Sequence, residues 1–183
     1  MRSSYVYIQG IIVLEPSIFA DERGFFFESY NKKTLAALGI DVSFVQDNHS
    51  LSRRGTLRGI HYQVKNPQAK LVRVLSGEVF DVSVDLRSSS PTFGRWFGLI
   101  LSAANKLQVY MPPGFGHGFL ALSDKAEVLY KASDFYAPEH ERCIRWDDPD
   151  LAIDWPLAGK RTISEKDAKG CFLRDADLPV QDI

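Results

Sequence analysis

Gly77-Glu78-Val79-Phe80-Asp81-Val82-Ser83-Val84-Asp85-Leu86 is the stretch on which the fold turns. Successive side chains of an extended chain point to opposite faces, so Val79, Asp81, Ser83 and Asp85 share one face and Phe80, Val82 and Val84 the other. Turn signals bracket it, Leu75-Ser76-Gly77-Glu78 before and Ser88-Ser89-Ser90-Pro91 after. Similar short runs rich in apolar, β-branched and aromatic residues recur on either side: Tyr5 to Leu14, Gly24 to Tyr30, Lys70 to Leu75, Trp96 to Leu101, Leu107 to Met111, Phe119 to Leu122 and Val128 to Phe135. Pro112-Pro113-Gly114 separates two of them. Many short strands at this spacing predict a mainly β sandwich or barrel. Helices are expected only at residues 31–38, with Asn31 as cap and Gly39 as terminator, and in the tail from Ser164 to Gly170.

The 183 residues suffice for one domain, expected to span 1–183. With 22 Lys plus Arg against 23 Asp plus Glu, the net charge of -1 gives no reason to expect nucleic acid as a partner. No stretch approaches the roughly 18 apolar residues of a spanning helix, so no membrane partner is expected. Met1-Arg2-Ser3-Ser4-Tyr5 lacks the apolar core of a signal peptide. Two cysteines, Cys143 and Cys171, make no disulfide framework, and a cytoplasmic setting is the expectation. Neither cysteine has neighbours that argue for reactivity, and Trp96, Trp146 and Trp155 read as packing residues.

Two segments resemble the paired motifs of the cupin superfamily, whose fold is a jelly-roll double-sheet barrel. The first is Gly55-Thr56-Leu57-Arg58-Gly59-Ile60-His61-Tyr62-Gln63 followed by Lys70 and Gly77; the second is Pro112-Pro113-Gly114-Phe115-Gly116-His117. Metal-binding cupins carry His-x-His, Glu and a distant His there. This chain has His61, Gln63, Lys70 and His117, so two ligands are gone. A Lys ammonium has no lone pair to offer a metal, but it suits an anion that forms during a reaction. No metal is therefore expected.

Finer detail resembles one family. Asp21-Glu22-Arg23-Gly24-Phe25-Phe26, Gln46-Asp47-Asn48, Leu57-Arg58-Gly59-Ile60-His61-Tyr62-Gln63, Pro112-Pro113-Gly114-Phe115-Gly116-His117-Gly118-Phe119, Leu129-Tyr130-Lys131, Tyr136-Ala137-Pro138-Glu139-His140-Glu141 and Ile144-Arg145-Trp146-Asp147-Asp148-Pro149 are similar to segments of dTDP-4-dehydrorhamnose 3,5-epimerases. The resemblance runs from about Val13 to Asp167. It implies epimerisation at C3 and C5 of dTDP-4-dehydro-6-deoxy-D-glucose, a step toward L-rhamnose for cell-surface polysaccharide, with no metal or organic cofactor.

By position, the resemblance assigns catalytic roles to His61 (base), Asp167 (its carboxylate partner), Tyr130 (acid) and Lys70 (enolate cation). Imidazole, with an unperturbed pKa of about 6.5, accepts a proton near neutral pH, and a phenol near 10 holds one to give. The resemblance assigns diphosphate and base contacts to Arg23 and Arg58, nucleotide contacts to Glu28, Gln46, Asp47 and Asn48, further substrate contacts to His117, Glu141 and Lys166, and stacking on thymine to Tyr136. It also implies a homodimer in which N-terminal residues complete the neighbour's site. His49 and His140 receive no role. The rival expectations are an epimerase that inverts a single centre, a metal-dependent cupin oxygenase, and a non-catalytic sugar-nucleotide binding module.

Overall fold

The computed structural model describes residues 1–156 and 159–179. In chain order its strands are β1 (Arg2–Tyr5), β2 (Ile12–Glu15), β3 (Phe19–Asp21), β4 (Gly24–Phe26), β5 (Gln46–Arg53), β6 (Leu57–Gln63) and β7 (Lys70–Ser76). They continue with β8 (Glu78–Asp85), β9 (Trp96–Ser102), β10 (Gln108–Met111), β11 (Phe115–Ala121), β12 (Lys125–Ala132) and β13 (Glu141–Cys143). The helices are α1 (Lys32–Ala37) and α2 (Glu165–Ala168). One sheet has six strands in the order β1-β2-β10-β7-β12-β5, the other five in the order β13-β6-β11-β8-β9, and β3 and β4 form a separate hairpin. This is the jelly-roll double-sheet barrel expected of a cupin-like chain.

Apolar side chains from both sheets meet inside the barrel: Val72, Val74, Val109, Met111 and Val128 from the first, Val79, Leu101, Phe115 and Phe119 from the second. The outer faces are covered too. Helix α1 contributes Leu35, which joins Ile12, Leu14, Leu71 and Tyr110 over the six-stranded sheet. The Asn31 side chain caps this helix by accepting from the backbone N–H groups of Lys33 and Thr34. Over the other sheet, Leu151, Trp155 and Ile163 of the irregular C-terminal segment pack on Ile60, Tyr62, Val82, Val84 and Ile144.

This second cover explains the alternation in β8. Val82 and Val84 face the C-terminal layer, whereas the face with Val79, Asp81 and Ser83 looks into the barrel. Every residue from Asp81 to Asp85 is buried. Asp85 lies at the strand end, where its carboxylate accepts from Arg87, Ser90 and Thr92 and orders the Ser88–Pro91 turn.

Several elements differ from the sequence expectation, among them β4, which ends at Phe26, and β11, which begins at Phe115. The run from Tyr5 to Leu14 breaks at Gly10, whose φ of 100° turns the chain so that β1 and β2 pair with each other. Strand β12 starts and ends three residues before the run from Val128 to Phe135. Strand β5 has no hydrophobic period to announce it, because its half-buried face meets a polar cavity rather than a core.

Candidate active site

Between the sheets lies a cavity of about 330 Å³. Strand β6 delivers the first group. Ile60 and Tyr62 belong to the outer apolar layer, so His61 and Gln63 turn into the barrel. His117 on β11 is directly across from His61. This pairing needs Gly59, which has φ 103° and lies where a Cβ would come within 2.5 Å of the His117 carbonyl oxygen.

His61 Nε2 donates to Asp167 Oδ1 at 2.7 Å, since a carboxylate can only accept. Asp167 is itself held in place. Its Oδ2 accepts from the Gly59 N–H at 3.2 Å, and its own N–H donates to the Ser164 hydroxyl that caps α2. Burial works to raise the Asp167 carboxyl, but the hydrogen bond and charge of His61, with those from Gly59 and Ser164, hold it below the usual carboxylate range. With Nε2 committed to Asp167, Nδ1 is the ring nitrogen left to exchange a proton with a ligand.

Lys70, at the start of β7, is buried and donates to the His61 carbonyl oxygen at 3.2 Å. Burial pulls its ammonium down to about 8, and the carboxylates of Asp81 and Glu141 limit the fall. Its Nζ lies 6.0 Å from the centre of the Tyr130 ring. Tyr130 projects from β12, the neighbour of β7 in the six-stranded sheet, which faces the sheet that carries His61. Burial, with the negative charge of Glu141, raises its phenol above 10, so it is protonated at neutral pH. The His117 ring stands 6.0 Å from that of Tyr130 and shares a 2.8 Å hydrogen bond, through Nε2, with Asp81 Oδ2.

The cavity continues past Arg58, Asn48, Tyr136 and Glu141. Arg58 is steadied by Ser52, to which its Nε donates at 3.1 Å. Tyr136 donates through its hydroxyl to Glu141, which also pairs with Lys166. Gln46 accepts from the Tyr136 N–H and donates to Asn48, so it stands behind the wall rather than in it.

The structure thus brings His61, Lys70, His117, Tyr130, Arg58, Asn48, Tyr136 and Glu141 to one cavity, with Asp167, Lys166 and Gln46 directly behind. Asp47 instead pairs with Lys131, and Glu28 accepts from Asn31 and Thr34 beside α1. Arg23 sits apart on the β3–β4 hairpin, 85% exposed and paired with Asp21.

At the four positions where metal-binding cupins hold their ion, the residues do not fit one. Lys70 is a cation. Gln63 spends its amide on the loop backbone, donating to Asn66 O and accepting from Ala137 N–H. His117 is bound to Asp81. Sequence reasoning missed Asp81, and the signal was present, since a carboxylate midway along an otherwise apolar-bounded barrel strand requires a partner. It also passed over His49, which reaches the cavity wall and meets Glu127 at 3.1 Å.

Comparison with known proteins decides the family. The family model for dTDP-4-dehydrorhamnose 3,5-epimerase matches residues 5–175. The chain belongs to the dTDP-4-dehydrorhamnose 3,5-epimerase family. A family member from Pseudomonas aeruginosa is 58% identical over 178 residues, covering 97% of this chain and 98% of that one. Among solved structures, the 3,5-epimerase of Legionella pneumophila in complex with dTDP-4-keto-L-rhamnose superposes with a TM-score of 0.96 at 49% identity, covering 100% of this chain and 99% of that one. A 3'-monoepimerase from Streptomyces bikiniensis in complex with dTDP-quinovose gives 0.89 at 38% identity, covering 95% of this chain and 91% of that one. The epimerase fold therefore accommodates more than one outcome at the sugar. Among the described residues, no helix is long and apolar enough to cross a membrane.

Proposed function

We propose that this chain inverts C3 and C5 of dTDP-4-dehydro-6-deoxy-D-glucose to give dTDP-4-dehydro-L-rhamnose, with His61, Asp167, Tyr130 and Lys70 as its catalytic groups. The observation that carries this reading is the placement of His61 on one sheet, backed by Asp167 of α2, and of Tyr130 on the sheet facing it, with the Lys70 ammonium between the two walls. The C4 carbonyl acidifies the protons on C3 and C5. His61 Nδ1 takes the proton, and the C–H electron pair moves into an enolate whose oxygen takes up negative charge. Lys70 offsets that charge in a site shielded from water. Asp167 stabilises the imidazolium. Tyr130 then delivers a proton to the carbon from the opposite face, which inverts the centre. The substrate's own carbonyl is the electron sink, so no cofactor enters the scheme.

Arg58, Asn48, Gln46, Tyr136, Glu141, His117 and Lys166 form or back the wall that takes the nucleotide and the rest of the sugar. The guanidinium of Arg58 suits a diphosphate oxygen. Arg23, Glu28 and Asp47 are assigned to nucleotide binding through a homodimer, in which the hairpin of one subunit closes the cavity of the other. Support comes from the hairpin itself, where Phe19, Phe25 and Phe26 are 67%, 61% and 72% exposed around Arg23. We read residues 1–183 as one such unit, and a reducing cytoplasm suits its two free thiols.

The test is NMR of the dTDP-keto-sugar incubated with the protein in D2O. Deuterium at both C3 and C5 is expected. Deuterium at one carbon makes the protein a single-centre epimerase, as its Streptomyces bikiniensis relative is described, and deuterium at neither refutes the enzyme reading. His61→Ala is expected to abolish exchange, and Tyr130→Phe to keep part of it while losing inversion.

A further inference from the structure

The mechanism leaves one half-buried group beside the base without a role. Cys143 on β13 pairs directly with His61 on β6, so its side chain shares the inward face of that sheet. Among the described residues, a ring nitrogen of His61, Cys143 Sγ and a carboxylate oxygen of Asp167 all lie within 4.8 Å of one another. We propose that His61, Cys143 and Asp167 form an inhibitory site for a borderline-soft divalent metal ion such as Zn²⁺, which shares only His61 with the position at which cupins carry theirs.

The donor set is one imidazole, one thiolate and one carboxylate, which favours zinc, cobalt or cadmium over magnesium or calcium. Three protein ligands and one open position describe a tetrahedral ion whose fourth ligand is a water. His61 supplies the opening, since its side chain is 29% exposed toward the cavity while that of Asp167 is 5% exposed. The local charge suits a cation. Burial, with the negative charges of Asp167 and Glu141, pushes the Cys143 thiol up to about 12, so the bond to the metal has to offset the loss of a firmly held proton, while the same two carboxylates favour a cation beside the sulfur. On binding, the Cys143 S–H bond breaks, its proton goes to solvent, and the sulfur lone pair forms the bond to the metal. The ion replaces the His61 hydrogen bond to Asp167 at Nε2, so the remaining ring proton sits on Nδ1. That nitrogen can then no longer accept a proton from a sugar carbon. The inhibitory half rests on the reading of His61 as base; the binding half does not.

Two measurements test these halves separately. Without substrate, titration of the metal-free protein with Co²⁺ is expected to give a near-ultraviolet thiolate-to-cobalt charge-transfer band. The band should disappear in Cys143→Ala and in Cys143→Ser and persist in Cys171→Ala, with circular dichroism confirming that each variant is folded. Separately, Zn²⁺ should stop turnover reversibly to EDTA. Cys143→Ala should retain its turnover in the absence of zinc and require a higher Zn²⁺ concentration for half-inhibition, by at least the about 10–100-fold that loss of a mere hydrogen-bond partner of a metal ligand costs, because here a ligand itself is removed. No cobalt band in the wild type, or a band and zinc sensitivity unchanged in both Cys143 variants, overturns the site. A Cys143-dependent band with undiminished turnover supports the site and overturns His61 as base.

Discussion

Replacing Lys70 with Met is expected to make the protein more stable and nearly inactive. The ammonium is buried, and its fall from 10.5 to about 8 measures how much the folded interior disfavours its charge. At neutral pH that difference is worth about 3 kcal/mol against the folded state. Met keeps most of the apolar stem and removes the charge. The His61 carbonyl loses its donor, which costs back about 1 kcal/mol. The net expectation is a gain of roughly 2 kcal/mol, or about 4–8 °C in Tm for a chain of this size.

The pH dependence has a definite sign. Below about 8 the wild type carries the whole penalty. As pH rises from about 8 toward 10.5, folded Lys70 releases its proton before the unfolded chain does, so wild-type stability climbs relative to the variant and the gap closes. Turnover should fall by about 10²–10³, the usual cost of removing a group aimed at a developing oxyanion. Urea denaturation of both proteins at pH 7 and pH 9.5, with turnover followed by NMR, provides the assay. A variant less stable than the wild type at pH 7, a gap that does not narrow by pH 9.5, or turnover within tenfold of wild type would refute the reasoning.

Asp167→Asn should keep the fold but lower kcat/KM by about 10²–10⁴, because an amide can no longer stabilise the imidazolium and its NH₂ favours the wrong ring tautomer; turnover within threefold of wild type would remove Asp167 from the mechanism. Stability attributable to the Asp167 carboxylate is present above the ordinary carboxylate range and is lost as pH falls through its depressed value, so the variant should also show a shallower acid limb in denaturation. Gly59→Ala places a Cβ against the His117 carbonyl at a φ of 103° and should cost about 1–3 kcal/mol in backbone strain alone, read by urea denaturation. An unchanged midpoint would mean that the β6–β11 approach is looser than the structure describes.

Much of the site was legible along the chain because its residues occur in short local motifs. His61 and Arg58 lie in one strand, His117 follows a Pro-Gly corner, and Lys70 stands at a set distance before Gly77. The cap of α1 was equally local, since Asn31 needs only Lys33 and Thr34 to satisfy it. Strand β5 was not legible, because the periodic signal reports burial in apolar surroundings, whereas β5 borders a polar cavity. The Asp81–His117 contact was missed because its partners are 36 residues apart and meet only across β8 and β11. Arg23 is the opposite case. Its motif stood out in the sequence, yet within one chain it stays on an exposed hairpin away from the cavity.

Alone, the sequence determined the class of fold and the chemical inventory: many short strands, a cation where related barrels place an anionic ligand, an imidazole and a phenol. It determined that β8 has two faces but not which of them looks inward. The tertiary structure decided that, because the C-terminal segment covers Val82 and Val84 and so frees the face with Asp81 and Ser83 for the barrel interior. It also decided that Asp167, 106 residues from His61, completes the dyad. Alternation is a property of neighbouring residues and can be read along the chain, whereas which face is buried, and against what, depends on segments brought together only by folding.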